Sequence, residues 1–159
     1  MKNSKEIDIA QKLIRCKSIA PKDGGALKIV EKKCKSMGFK CTKLKFAEKG
    51  FDTINNLYAE IGSGSPHFSF AGHVDVVPAE KKEWAVDPFA GKIKNNFLHG
   101  RGAVDMKSAI ACFISATKSY LEENKNFKGK ISVLISGDEE TWAINGTKKM
   151  LKWLKKKKI

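Results

Sequence analysis

Arginine is nearly absent from this sequence. Of 31 basic residues, only Arg15 and Arg101 carry a guanidinium; the rest are lysines. Readers of bases and phosphates lean on the arginine fork, whereas lysine is a solvated point charge. The formal charge of +14 is therefore read first as a solvated surface, with lysines spread along the chain and one dense cluster in "KWLKKKKI". A non-catalytic basic module for nucleic acid stays as the alternative from another class. Cysteine is sparse too. Cys16, Cys34, Cys41 and Cys112 form no C-x-x-C pair, which argues against a zinc clip and against a redox motif. A reduced, cytoplasmic protein is expected. No apolar run approaches the roughly 20 residues of a membrane span. The start, "MKNSKEIDIAQKLI", lacks the uninterrupted apolar stretch of a secretory signal.

What is present suffices for one ordinary domain. The 159 residues are 42% apolar, with nine Phe and three Trp, enough to bury a core. Asn3 to Glu6 has the form of a capping box, and Ile7, Ala10, Leu13 and Ile14 then recur at helical spacing. A second helix carries Ala26, Leu27, Val30, Cys34 and Met37 and stops at Gly38. "FKCTKLKF" and "TINNLYAEI" read as strands, "GSGSP" as a turn, and "HFSFA" as a buried strand. A loop region follows, with a hairpin turning at Asn95-Asn96. Met106 to Leu121 is a long helix, "KGKISVLIS" a second buried strand, and Met150, Leu151 and Leu154 mark a final helix. Helices alternating with short apolar strands predict an α/β domain, a mostly parallel sheet covered by helices. Ligands of such sheets collect at the carboxyl ends of strands.

Titratable groups fall at those ends. His73 and Asp75 follow one strand; Asp138, Glu139 and Glu140 follow the other; Asp105 stands between "HGRGAV" and the long helix. Taken singly, each has a plain reading: a hydrogen-bonded structural histidine, a helix N-cap, a solvated acidic turn. Together they are harder to explain that way. Three successive acids repel one another unless something positive sits nearby. H-x-D spacing offers a metal-binding histidine the carboxylate that fixes its tautomer. One imidazole and several carboxylates suit zinc, cobalt or manganese.

"FAGHVDVVP", "HGRGAVDMK" and "ISGDEETWAINGT", in this order, resemble the dinuclear zinc aminoacylase and carboxypeptidase superfamily. "W-x-x-DPF" (Trp84 to Phe89) and "NGT" (Asn145 to Thr147) sharpen the likeness to its bacterial succinyl-diaminopimelate desuccinylase family. The resemblance implies a two-metal amide hydrolase that splits N-succinyl-LL-diaminopimelate into succinate and LL-diaminopimelate, or else another acyl-amino-acid deacylase or peptidase of the same superfamily. It implies His73, Asp105 and Glu140 as metal ligands, Asp105 bridging two zinc or cobalt ions. It implies Asp75 as the residue orienting His73 and Glu139 as general base. Trp142 departs from the small residues common after the Glu pair, and is expected to crowd the site. Members of this family are more than twice as long. They continue with a further glutamate ligand, a dimerisation domain and a last histidine ligand, and they act as homodimers. Residues 1–159 are thus expected to form the N-terminal part of a catalytic domain, with an incomplete metal site and little or no activity alone.

Overall fold

The computed structural model describes residues 4–159. Asn3 of the expected capping box lies outside the described residues. Helix α1 (Lys5–Arg15) buries Ile9, Ala10, Leu13 and Ile14, the stripe that its 3.6-residue period sets. Helix α2 (Ala26–Ser36) buries Ala26, Leu27, Val30 and Cys34. Past its end, Gly38 takes the left-handed φ of 91° and turns the chain into strand β1 (Lys40–Glu48). Strands β2 (Phe51–Ser63), β3 (His67–His73) and β6 (Gly129–Ser136) complete one sheet, ordered β1-β2-β6-β3. A separate hairpin pairs β4 (Lys92–Lys94) with β5 (Phe97–His99). Its turn is Asn95-Asn96, with φ of 50° and 64°, as the asparagine pair predicts.

The α/β class holds, but the sheet is mixed rather than mostly parallel. The β1–β2 and β2–β6 pairs are antiparallel, and β3–β6 alone is parallel. Connection length explains part of this. Only Lys49 and Gly50 lie between β1 and β2, which permits only a hairpin. The β3-to-β6 crossover carries helix α3 (Ser108–Glu123), as a parallel pair requires.

The pleat then sorts side chains to two faces. Leu57, Ala59, Val133 and Ile135 face α1, α2 and α3, together with Leu13, Val30 and Ile110. Leu44, Tyr58 and Leu134 face Met150 on helix α4 (Thr147–Lys157). Each fully buried Leu or Ile here contributes about 1.5–3 kcal/mol by leaving water. Two expectations fail at the margins. β3 lies at a sheet edge, so Phe68 is 63% exposed instead of buried. On α4 the core face is taken by Met150, Trp153 and Leu154, which leaves Leu151 pointing outward.

Candidate metal centre

Strands β3 and β6 end level with one another: His73 and Ser136 are register partners. Beyond them the chain still pairs once, Val74 N–H donating to the Ser136 carbonyl at 2.9 Å. Ser18 pins the same loop from below. Its hydroxyl donates to the Val74 carbonyl at 2.6 Å, and its carbonyl accepts the Val76 N–H at 2.9 Å. Two parallel strand ends thereby deliver His73–Asp75 and residues 138–140 to one rim.

Asp75 is 1% exposed. Its Oδ2 accepts the backbone N–H groups of Glu139 and Glu140, both at 2.9 Å. Its Oδ1 lies 3.6 Å from His73 Nδ1 and has no hydrogen bond. His73 Nδ1 is 3.0 Å from the Asp75 carbonyl oxygen instead. The nitrogen left over, Nε2, faces Asp105 Oδ1 at 3.0 Å and Glu139 Oε2 at 3.8 Å. Burial opposes the charged imidazole, but the bonds to Asp75 and Asp105 outweigh it and push the His73 pKa up to about 9. Burial also pushes the Glu140 carboxyl up, helped by the nearby Asp105 and Glu139 charges. Asp75 moves down: burial raises it, while His73 and the two backbone donors overcome that.

Asp105 comes from a different segment, the turn Ala103–Lys107, where its backbone is extended (φ −121°, ψ 102°). The expected helix over Met106 to Leu121 therefore begins only at Ser108. Glycine shapes this turn. At Gly102 (φ 78°) a Cβ would stand 2.7 Å from Val76 Cγ1, too close for any side chain. Met106 Sδ accepts the His73 N–H at 3.3 Å, tying the turn to the end of β3. The Trp84–Phe89 motif supports it from the side. The Phe89 N–H is capped by Asp87 at 2.8 Å, Pro88 accepts the Arg101 N–H at 2.7 Å, and the Trp84 ring lies 5.3 Å under the Arg101 guanidinium.

One ligand atom each from His73, Asp105 and Glu140 lies within 4.8 Å of the others, forming the candidate metal group found among the described residues. An imidazole nitrogen with two carboxylates suits a divalent cation. Such a charge would offset the burial, and after it the Asp105 and Glu139 charges, that push the Glu140 carboxyl up. Glu139 stands beside the group with its side chain 55% exposed. The third acid, Asp138, is elsewhere. It is buried and closes the loop after β6, accepting from the Thr141 hydroxyl and the Ala143 and Asn145 N–H groups. Trp142 does not crowd His73; it lies edge-on to Phe51 at 6.0 Å, 76% exposed. Sequence reasoning passed over Lys107. Its side chain is fully buried and donates to the Cys16 carbonyl at 2.9 Å. A lysine two places after Asp105 in an apolar setting was the available signal.

A mixed α/β sheet with one imidazole and several carboxylates at its rim is an architecture of metal-dependent hydrolases. Residues 69–159 match the model of Peptidase family M20/M25/M40, and the chain belongs to that family. It is 53% identical over 149 residues to a succinyl-diaminopimelate desuccinylase of Parvibaculum lavamentivorans, covering 93% of this chain and 37% of the relative. It is 51% identical over 154 residues to the enzyme of that name from Pelagibacter ubique, covering 96% and 40%. The chain thus spans about two fifths of the length of these curated relatives. Among solved structures, human carnosine dipeptidase 1 superposes with a TM-score of 0.84 at 20% identity, over 94% of this chain and 35% of the other. An M20 family metallo-carboxypeptidase from Sulfolobus solfataricus gives 0.73 at 23%, over 96% and 34%. At such identities these two show the fold alone.

Proposed function

We propose that this chain carries the N-terminal part of a two-metal catalytic domain that hydrolyses N-succinyl-LL-diaminopimelate to succinate and LL-diaminopimelate. The convergence of His73, Asp105 and Glu140 carries the chemistry, and the relatives near 50% identity carry the substrate. A divalent ion such as zinc or cobalt, when bound, would supply Lewis acidity toward an amide carbonyl and water. His73 Nε2 and the carboxylates of Asp105 and Glu140 would hold it. Asp75 fixes the strand end that carries His73 to the backbone of Glu139 and Glu140. Glu139, not needed as a ligand, takes the proton of the attacking water and returns it to the leaving amine.

Three protein ligands complete one catalytic ion. A second ion would need ligands beyond these three. In the full-length form we place the enzyme in the cytoplasm as a homodimer; the four free cysteines accord with that compartment. The test is metal content and succinate release by the purified chain. About one divalent ion per chain is expected, with negligible turnover. Two bound ions together with desuccinylation would contradict the partial-domain reading. Metal binding that survives Asp105→Ala and Glu140→Ala would contradict the ligand assignment.

A further inference from the structure

His73 and Asp105 reach the centre from segments more than 30 residues apart, and both segments rest on the loop that follows α1. Ser18 holds the first. Its hydroxyl donates to the Val74 carbonyl at 2.6 Å, and its carbonyl accepts the Val76 N–H at 2.9 Å. Lys107 holds the second. Its backbone N–H closes the Asp105 turn on the Gly102 carbonyl at 2.9 Å, and its Nζ donates to the Cys16 carbonyl, also at 2.9 Å. The Cys16 carbonyl is where the two supports meet. It accepts the Ser18 N–H at 2.8 Å and lies 3.3 Å from the Ser18 hydroxyl.

A lysine is a costly choice here. Lys107 is fully buried, and taking an ammonium out of water is penalised heavily; a methionine would fill much of the same space without that penalty. No carboxylate pairs with Nζ among the described residues. Its partner is a backbone carbonyl just past the end of α1, where the helix dipole favours a cation. A bond of that kind fixes the path of the chain. The stem is fitted as closely as the head. A Cβ on Gly102 would stand 3.1 Å from Lys107 Cδ and 2.7 Å from Val76 Cγ1, so the lysine stem, the Asp105 turn and the loop after His73 close on one point.

We propose that Lys107 is a positioning residue of the metal centre: through the Cys16 carbonyl its ammonium locks the Asp105 turn onto the loop that holds the His73–Asp75 strand end. The inference rests on reading His73, Asp105 and Glu140 as ligands. Lys107 is not itself a ligand. It sets the approach of Asp105 Oδ1 to His73 Nε2, 3.0 Å in the metal-free chain, so that the two ligand atoms stand together before an ion arrives. Without the ammonium the turn keeps its Gly102 bond but loses its tie to the Cys16–Ser18 loop.

The probe is cobalt, titrated into the chain and followed by its visible absorption, which reports affinity and ligand geometry together. Lys107→Met keeps the stem and loses the ammonium; it should weaken cobalt binding about 10- to 100-fold and alter the spectrum. Lys107→Gln keeps a donor on a shorter stem, should lose less, and carries the test if the methionine variant does not fold. Ser18→Ala should also weaken binding, and the double variant should lose less than the product of the two, because both act through one carbonyl. Ile110→Val, a buried core change on α3 that lowers stability, should leave cobalt affinity and spectrum unaltered. Unchanged affinity and spectrum in the folded Lys107 variants, losses that simply multiply, or an equal loss in Ile110→Val overturns the proposal. No cobalt binding by the unsubstituted chain overturns the ligand reading and this inference with it, a result seen before any substitution is made.

Discussion

The proton on His73 offers the most quantitative test of the centre. In the metal-free chain Nε2 faces Asp105 at 3.0 Å, and the imidazole pKa is pushed up to about 9. A cation that takes Nε2 has to displace this proton. At pH 7.5 an imidazole with a pKa of about 9 is almost fully protonated, so binding releases about one proton from it. An unperturbed histidine, pKa about 6.5, would release only about a tenth of one. Apparent affinity should rise about tenfold per pH unit from near 6.5 to 9 and then level off. Calorimetric titration with zinc or cobalt, in buffers of different ionisation enthalpy, counts the protons directly. The same shift has a sign for stability. A raised histidine pKa stabilises the metal-free fold below about pH 6.5, and that contribution fades as pH climbs toward 9. It amounts to at most about 3 kcal/mol, reduced because Asp105 is 71% exposed. Release near a tenth of a proton at pH 7.5, with affinity flat over that interval, would refute the geometry argued for Nε2.

Asp75→Asn keeps the shape but removes the charge that two backbone N–H groups share. It should weaken metal binding about 10- to 100-fold and cost about 1–3 kcal/mol in urea unfolding, while bringing the His73 titration down by NMR. Asp138→Ala strips three donors of their acceptor; a loss of about 3 kcal/mol is expected by denaturant midpoint, with a looser Glu139–Glu140 segment seen as faster amide exchange. Glu139→Gln should leave metal affinity within about threefold, because the side chain stands 3.8 Å from Nε2 and is not counted among the ligands.

The grouping of His73, Asp105 and Glu140 as a candidate site was legible because it is written in short local patterns. H-x-D at a strand end and two glutamates after the next strand need only the strands to lie side by side. The β3–β6 register sets them level. Other features depend on contacts that no local pattern encodes. The β1–β2 pair is a hairpin over two residues and β2 pairs antiparallel with β6 far along the chain, so helix–strand alternation suggested too many parallel pairs. Phe68 looks like a core residue in "HFSFA", but β3 is the last strand of the sheet among the described residues and Phe68 is exposed there. Asp138, to which the resemblance gives no role, turns its carboxylate back to cap its own loop, a contact that local pattern does not encode. Lys107 was missed because burial of a lysine is a tertiary fact. The Asn95-Asn96 turn, by contrast, was readable because left-handed φ is a local property of asparagine.

Anomalous scattering from a zinc-loaded crystal bears most directly on the centre. A peak about 2.0–2.2 Å from His73 Nε2 and from one carboxylate oxygen each of Asp105 and Glu140 is the predicted result. A chain that crystallises in zinc with no ion between these three side chains, or with the ion held by other residues, would contradict it.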